Sequence, residues 1–418
     1  MRAPAEIGHP RQSLALLAWF TAASFFFYAW VLRVAPSVMV EELMRDFAVG
    51  AGVLGHLSAA YFYGYSGMQI PVGVLLDRFG PRRLVTGATL ACGAGCALFA
   101  TSDTLAAATA GRFLIGASAA FSLVGAMAIA GQWFSVHRFA VLSGFAMAMG
   151  MAGGVFGQAP LRLLVEASDW RTAMLMLAGG GLALALAAVV TVRDKRRGVG
   201  GPGGMLAGLG KVLWHRQTLL IAVAGLGTSA PLLGLASLWG VPFLETAYGL
   251  SRSEAAALTS LMFVGWGMGA PIIGWLSDRI GRRRAPLLAG LALQTVALAA
   301  FVYLPNLPIP ALACLNFLVG LMGSAQIICF ALVRENHPPT LSGTGIGVVN
   351  AMVTGAGALF QPLMGALLDA AWAGEIAHGA RIYSIGAYQL AFASLLACCL
   401  VGLACLLGVR ETYCRPQT

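Results

Sequence analysis

Long apolar runs alternate with short clusters of charged residues along the whole of this 418-residue chain. A helix needs about 20 mostly apolar residues to cross a bilayer, and the apolar runs reach that length repeatedly. The pattern predicts twelve membrane-spanning helices, which are numbered here as spans 1 to 12. Their predicted bounds are 14–40, 51–76, 84–101, 105–132, 140–164, 172–192, 218–244, 255–276, 285–303, 309–332, 345–369 and 388–408.

Composition excludes a water-soluble protein. Hydrophobic residues make up 59% of the chain and charged residues 10%, against about 45–50% and about 25% in soluble domains. The net charge of +10 does not indicate a nucleic-acid partner, because the cations stand in short clusters between apolar runs. The eight cysteines have neither metal-site spacing nor the context of a disulfide framework. We therefore expect no cofactor and no metal.

The distribution of Lys and Arg predicts how the chain lies in the membrane. Nineteen of them fall at the termini and in the even-numbered connections between spans, and five in the odd-numbered connections. Loops rich in Lys and Arg stay in the cytoplasm, so both termini are predicted to be cytoplasmic. The first apolar run is too long for a signal-peptide core and is expected to remain as span 1. The sequence thus predicts a multi-pass membrane protein.

The two halves of the chain are related in sequence. Three segments recur at nearly one offset, with shifts of 201, 204 and 203 residues. They are GVLLDRFGPRR at 73–83 and GWLSDRIGRRR at 274–284, RFLIG at 112–116 and NFLVG at 316–320, and AMGMAGGVFGQ at 148–158 and AMVTGAGALFQ at 351–361. Such echoes indicate a duplicated bundle with a binding site between the halves. The predicted domains are an N-terminal bundle at 1–192, a basic Gly/Pro-rich linker at 193–216 and a C-terminal bundle at 217–418.

The motif G-x-L-x-D-R-x-G-x-R-R stands between spans 2 and 3 and again between spans 8 and 9, and it resembles the signature loop of the major facilitator superfamily. The resemblance covers the whole chain. Within the superfamily the chain looks closest to bacterial organic-anion or nutrient permeases, which implies a place in the bacterial inner membrane. It implies an all-α membrane fold of twelve helices in two pseudo-symmetric six-helix bundles, and transport by alternating access. It also implies a conformational gate built from Gly73, Asp77, Arg78, Gly80, Arg82 and Arg83 and from Gly274, Asp278, Arg279, Gly281 and Arg283.

Two carboxylates of this gate are predicted to act on the cytoplasmic side. Asp77 is placed to meet the N-terminus of span 11, and Asp278 that of span 5, each in the other bundle. Such a charge–dipole contact is worth about 0.3–2 kcal/mol, and the resemblance implies that it breaks as the bundles rock. Gly73 and Gly274 are expected at close helix approaches, and the later glycine of each motif at a turn. The alternative is a basic loop that only sets topology.

An arginine inside an apolar helix is costly and is by default a functional-site hypothesis. Arg33 in span 1 and Arg112 in span 4 are each predicted to lie about 10 Å from the outer end of the helix. In the family arrangement these spans line the central path, where two guanidinium groups can hold one carboxylate or phosphate. The segment YAWVLRVAPSV at 28–38 resembles the corresponding region of organic-anion symporters, although Leu32 stands where those proteins usually carry an aspartate. The alternatives are that Arg33 reaches out to the headgroups and that Arg112 bonds backbone carbonyls.

The equivalent positions of the second bundle are uncharged. Aligning the halves on a shared proline places Trp239 opposite Arg33, and the RFLIG and NFLVG match places Asn316 opposite Arg112. The substrate is therefore expected to have an anionic end held by the first bundle and an apolar or amide-bearing end held by the second. Further candidates for substrate contact are Trp30, Tyr61, Tyr65, Gln69, Gln158 and Gln361. For the amides, an interhelical hydrogen bond is the alternative.

No span carries an aspartate or glutamate away from its ends, so the usual proton relay of a coupled transporter is not predicted. His56 and Glu41 are the residues that would link transport to protons. The spans also lack paired carboxylates and a nucleophile near a histidine, so an intramembrane enzyme is not expected. We expect a transporter of a small organic anion, such as a carboxylate, amino acid or peptide; efflux of drugs or other amphiphiles is the alternative. The expected partners are the small-molecule substrate and the lipid bilayer, with the chain acting as a monomer.

Overall fold

A computed structural model describes residues 12–193 and 210–416, and most of them are helical. The first half contains span 1 (Gln12–Val34), a 3-10 turn (Ala35–Val38), a short outer helix (Val40–Asp46), spans 2 and 3 in one run (Ala51–Ala100), span 4 (Leu105–Trp133), span 5 in two pieces (Val136–Phe156 and Ala159–Ala167) and span 6 (Trp170–Thr191). The outer and cytoplasmic ends of the spans are named here by the predicted orientation.

The second half repeats this order. It contains span 7 (Arg216–Ala230, a π-helix at Pro231–Trp239, then Gly240–Tyr248), span 8 (Arg252–Ile280), span 9 (Arg284–Tyr303), span 10 (Ile309–Gly323, a 3-10 turn at Ser324–Gln326, then Ile327–Glu335), span 11 (Pro339–Ala370) and span 12 (Ile385–Leu407). Between spans 11 and 12, strands β1 (Ile376–Ala377) and β2 (Ala380–Arg381) form a small antiparallel hairpin. Most of the predicted linker, residues 194–209, lies outside the described residues.

The helices match the predicted spans to within a few residues at most ends. Across the described residues, ten helices are long and apolar enough to cross a membrane, and the bent pair Val141–Phe156 and Ala159–Ala167, at 40°, makes eleven. Span 2, the first part of Ala51–Ala100, is not among these eleven, because His56 and three tyrosines lower its apolar character. The predicted all-α fold of membrane-spanning helices is confirmed.

Glycine makes the turn in both signature loops. The run Ala51–Ala100 leaves helical geometry at Gly80, where φ is +77°, and span 8 ends at Gly281, where φ is +67°. Side chains other than glycine rarely adopt such angles. The prediction that these two glycines allow the turns is therefore confirmed.

Equivalent glycines make the same close helix contact in the two halves, so the sequence repeat is also a structural repeat. A Cβ added at Gly116 in span 4 would overlap the carbonyl oxygen of Tyr61 in span 2. A Cβ added at Gly320 in span 10 would overlap the carbonyl oxygen of Met262 in span 8. The two glycines differ by 204 in number and the two contacted residues by 201, the shifts of the sequence repeat. Backbones that approach this closely are typical of helix packing in membranes.

The two bundles are joined at their outer ends. Arg252 of span 8 forms ion pairs with Glu41 and with Glu42 (2.8 Å), both in the other bundle. Asp369, at the outer end of span 11, accepts hydrogen bonds from the amides of Ala51 (3.1 Å) and Gly52 (2.8 Å) in the first turn of span 2. These contacts describe an arrangement closed on its outer side.

Candidate functional site

Arg33 lies in an aromatic cage where span 1 ends. Its guanidinium carbon is 4.0 Å from the ring centre of Trp30, 4.8 Å from that of Tyr65 and 5.2 Å from that of Tyr61, and Phe62 closes the cage at 5.8 Å. Because the side chain is only 3% exposed, the alternative that Arg33 reaches out to the headgroups is wrong. Cations gain about 0.5–2 kcal/mol over such ring faces, so the cage holds the charge inside the protein.

Most of the hydrogen-bonding capacity of Arg33 is unused. Nε donates to the hydroxyl of Tyr61 at 3.3 Å, and the guanidinium also hydrogen-bonds the hydroxyl of Tyr65. Among the described residues, its terminal nitrogens have no carboxylate or backbone carbonyl as a hydrogen-bond acceptor. A guanidinium has five N–H donors in a planar fork, so donors of Arg33 remain for a ligand.

Arg112, fully buried in span 4, is engaged differently. One terminal nitrogen donates to the carbonyl of Leu32 at 2.6 Å, and the other to the carbonyls of Arg33 at 3.4 Å and Ser58 at 3.3 Å. Its Nε is buried without a partner. The contacts are those of the alternative in which Arg112 bonds backbone carbonyls.

Among the described residues, no carboxylate compensates the two buried arginines. Neither Arg33 nor Arg112 forms an ion pair with any acid in the part of the chain that the structure describes. Taking an unpaired charge out of water costs several kcal/mol or more, even after relaxation. The site is therefore strongly electropositive, and an anion that enters it would meet positive charge that no described carboxylate neutralises.

The stripe predicted on span 2 divides between two places. Tyr61 and Tyr65 stack on each other with ring centres 6.0 Å apart beside Arg33. Gln69, one turn further toward the cytoplasm, accepts a hydrogen bond at 3.0 Å from Asn350 in span 11. The structure thus groups the two tyrosines with Arg33 and places Gln69 on the seam between the bundles.

The remaining polar candidates donate hydrogen bonds to backbone carbonyls. Trp239 donates its indole N–H to the carbonyl of Gln361 at 3.1 Å, and Asn316 donates to the carbonyl of Leu312 in its own helix at 2.9 Å. Gln158 and Gln361 are fully buried and donate at 2.9 Å to carbonyls of the π-helix of span 7. For these two amides the interhelical alternative is the arrangement observed.

Two aromatic residues near the site escaped the sequence analysis. Phe62 closes the cage, and Phe263 of the second bundle packs edge-on against Trp30 with ring centres 6.2 Å apart. The two phenylalanines differ by 201 in number, which is the shift of the signature loop. Comparing the halves along all of spans 2 and 8, beyond the motif, would have found them.

The signature-loop residues lie at the cytoplasmic ends. Arg82 donates to the carbonyl of Val189 at 3.1 Å, Arg283 bonds Asp278 at 2.6 Å and Glu335 at 2.9 Å, and Arg78 and Arg279 lie over neighbouring aromatic rings. Asp278 thus bonds within its own bundle here and does not cap span 5. No atom of another helix in the described part of the chain lies within 4 Å of a Cβ built at Gly274, so the expected close approach there is wrong for this arrangement. The side chain of Asp77 lies outside what the structure describes.

The residues suggested for proton linkage lie away from the cage. Glu41 lines an outer cavity of about 320 Å³ between spans 1 and 7, together with Arg252 and Tyr383. Burial, and then the hydrogen bond to Asp369, raise the pKa of Tyr383, which therefore remains a neutral phenol. His56 is exposed and lies 3.3 Å from the hydroxyl of Tyr63.

Comparison with known proteins agrees with this architecture. The sequence model of the family described as Major Facilitator Superfamily matches residues 18–241 and again residues 218–416. The probable sulfoacetate transporter SauU of Cupriavidus necator is 25% identical over 66% of this chain and 67% of that protein. The probable nitrate/nitrite transporter NarK2 of Mycobacterium tuberculosis is 27% identical over 92% of this chain and 94% of that protein.

A solved structure shares the fold. It is that of a bacterial homologue of the human lysosomal transporter Spinster, in inward-facing and unoccupied conformation. It aligns with a TM-score of 0.78 at 14% identity, covering 96% of this chain and 98% of that one.

Proposed function

Because this chain belongs to the Major Facilitator Superfamily, a family of membrane transporters, we propose that it carries a small organic anion across the bacterial inner membrane by alternating access of its two bundles. The observation that supports this most directly is Arg33, which is buried and lacks an acidic partner among the described residues. A carrier of cations or neutral solutes gains nothing from an uncompensated guanidinium. A carrier of anions binds its substrate with it.

The chemistry of the cage narrows the substrate class. A carboxylate or sulfonate can accept two parallel hydrogen bonds from the fork of Arg33. The remainder of the substrate would then lie between aromatic faces, with Phe263 presented by the second bundle. A carboxylate, an amino acid or a short peptide satisfies this pattern. Two of the similar proteins carry names of anion transporters, for sulfoacetate and for nitrate or nitrite.

The transport cycle follows from the contacts between the bundles. In the arrangement described, the outer side is closed by the contacts of Glu42 and Asp369. Opening that side requires these contacts to break. We propose that Asp77 and Asp278 then reach the helix N-termini of the opposite bundle and close the cytoplasmic side. With no acid beside Arg33 in the described residues, we expect facilitated diffusion, exchange, or coupling through a proton carried by the substrate itself.

The proposal is tested by thermal stabilisation of the purified protein with matched acids and amides. Benzoate, lactate, gluconate and sulfoacetate are compared with neutral partners such as benzamide and lactamide. A ligand at 100 times its Kd adds about 2.7 kcal/mol of stability, so an acid that binds should raise Tm while its amide does not. Hydrogen bonds to charged groups contribute about 1.5–3 kcal/mol, so Arg33→Gln should weaken binding of the acid by roughly 10- to 150-fold.

The matched control is Arg334→Gln, which removes the same charge from an exposed position at the cytoplasmic end of span 10. This variant should bind the acid as the wild type does. Equal stabilisation by an acid and its amide would refute anion recognition. Unchanged binding in Arg33→Gln would refute the assignment of the site.

A further inference from the structure

Span 1 loses its regular hydrogen bonding beside Arg33. Pro36 has no N–H, so the carbonyl of Leu32, whose helical donor would be residue 36, is left without one. The α-helix ends at Val34, and a 3-10 turn follows. The last carbonyls of a helix need partners from outside it, and here they lie deep in the protein.

Arg112 supplies those partners. Its shortest hydrogen bond, 2.6 Å, goes to the carbonyl that Pro36 leaves free, and a second, 3.4 Å, goes to the carbonyl of Arg33. A cation is also favoured at the negative end of the helix dipole. The third bond, to Ser58, reaches span 2 one turn before the cage residue Phe62. One side chain of span 4 therefore ties spans 1 and 2 together at the cage.

We propose that Arg112 is a positioning residue: it caps the C-terminal end of span 1, fixes the direction of the Arg33 side chain, and does not contact the transported anion. This inference rests on the proposed role of Arg33 in anion binding. It changes the expectation that both guanidinium groups hold the substrate together. The terminal nitrogens of Arg112 already donate to carbonyls, whereas those of Arg33 have no carbonyl acceptor among the described residues.

The second bundle provides an internal comparison. Asn316 replaces Arg112 there, and it bonds the carbonyl of Leu312 in its own helix instead of reaching span 7. Trp239 replaces Arg33. The capping arginine thus occurs in the bundle that has an arginine to position and is replaced in the bundle that does not. A cap needed only for folding would be expected in both halves, since both carry the proline, at Pro36 and Pro242.

The test is a double-mutant cycle between Arg112→Gln and Pro36→Ala. Alanine at this position restores an N–H that can bond Leu32 along the helix, so the cap becomes partly dispensable. Arg112→Gln in the native background should weaken binding of the most stabilising acid by about tenfold or more. In the Pro36→Ala background, the same change should weaken binding by about threefold or less.

A second measurement needs no ligand. Hydrogen–deuterium exchange of the peptide over residues 28–38 should rise in Arg112→Gln and fall back in the double variant. Arg112→Lys, which retains a donor and the charge, should lie between wild type and Arg112→Gln in both measurements. It replaces Arg112→Gln in the cycle if that variant does not fold.

Two results would overturn the proposal. The first is an affinity loss that Pro36→Ala does not restore although exchange is restored, because Arg112 would then contact the anion itself. The second is unchanged exchange in Arg112→Gln. Failure of the proposed function is recognised separately, since Arg33→Gln would then bind the acid normally while the exchange measurements still report whether Arg112 caps span 1.

Discussion

At the scale of single residues, a glycine determines where a buried arginine lies. Gly116 lets span 4 lie against the backbone of span 2 at Tyr61, four residues after Arg112. That contact brings Arg112 within reach of carbonyls on two other helices. The buried charge is therefore placed by a residue that has no side chain.

Replacing Gly116 with alanine should destabilise the protein, because the new methyl group would overlap the carbonyl oxygen of Tyr61. Overpacking of this kind costs about 1–3 kcal/mol and sometimes more. Gly320→Ala should be similarly harmful, since the second bundle makes the same contact. Thermal unfolding of the purified protein measures both effects.

The control substitution is Gly355→Ala in span 11, where no described residue of another helix lies within 4 Å of the added carbon. Alanine is favoured over glycine inside a helix by about 0.5–1 kcal/mol, so this variant should be as stable as wild type or slightly more stable. A Gly116→Ala protein as stable as Gly355→Ala would contradict the close approach of spans 2 and 4.

The sequence was informative about which residues matter here and less so about how they are used. Arg33 and Arg112 stand out because charge is rare in apolar helices. Their different roles depend on which carbonyls each can reach, and that depends on where span 1 ends and how closely span 4 approaches. The end of span 1 can be predicted from Pro36. The approach of span 4 cannot, because it depends on how three helices pack together.

At the scale of elements, the π-helix of span 7 is the feature that hydropathy did not predict. It covers Pro231–Trp239, and its residues are fully or nearly fully buried. Rare π-helical turns displace carbonyls from the regular ladder and are frequent at functional sites. Two such carbonyls accept hydrogen bonds from amides: Ala236 from Gln158 of the first bundle, and Leu233 from Gln361 of the second.

The two glutamines should therefore have separable effects. Gln158→Leu removes a bond between the bundles and should favour opening of the outer side. Gln361→Leu removes an equivalent bond within one bundle and should lower stability by about 0.5–1.5 kcal/mol without changing the balance between open and closed. Hydrogen–deuterium exchange over the outer segments 35–50 and 371–384 reports opening, and Tm reports stability.

These substitutions control for each other, because each replaces a fully buried glutamine whose side-chain oxygen has no partner. Equal exchange in the outer segments of both variants would show that the contact of Gln158 with span 7 does not contribute to closure. The prediction concerns the difference between the two variants, so a general loss of stability shared by both does not affect it.

At the scale of the whole molecule, spans 2 and 11 form an antiparallel pair that crosses the boundary between the bundles. At the outer end, the carboxylate of Asp369 accepts hydrogen bonds from the backbone amides of Ala51 and Gly52. Its own bundle supports it through Tyr383 at 2.6 Å and Arg381 at 3.1 Å. The contact predicted for Asp77 at the cytoplasmic end is the reverse of this one: there, an aspartate of span 2 would meet the N-terminus of span 11.

Asp369→Asn should shift the equilibrium toward the arrangement that is open on the outer side. The neutral amide lacks the negative charge that the positive N-terminal end of span 2 attracts. A contact worth about 0.3–2 kcal/mol corresponds to a shift of about 2- to 30-fold in the equilibrium. Exchange over the outer segments should increase, and anion binding by Arg33 should remain. Exchange measurements with and without a stabilising acid separate the two effects.

The matched control is Asp103→Asn, in an exposed position of the outer loop between spans 3 and 4. It removes the same charge from the same side of the membrane. If it opens the outer side as much as Asp369→Asn does, surface charge and not the helix contact controls the equilibrium, and the prediction fails.

The duplication predicted the two bundles because a repeat offset records ancestry directly. Which side of the molecule is closed was not predictable, since a transporter sequence must be compatible with both arrangements. Asp369 illustrates the difficulty: it is one of several acids at span boundaries, and only packing of the loop with Tyr383 and Arg381 distinguishes it. Sequence patterns define the parts, whereas the balance between states depends on contacts between residues hundreds of positions apart.

The two buried guanidinium groups, which have no acidic partner in the part of the chain that the structure describes, also have an electrical consequence. Moving one elementary charge through a membrane potential of 100 mV changes its energy by about 2.3 kcal/mol. With the cell interior negative, the potential draws the empty, positively charged site toward the cytoplasm, in the direction of the outer-closed arrangement. A bound anion cancels part of that charge. Voltage should therefore act most strongly on the return of the empty carrier, and only weakly on the step that carries the substrate.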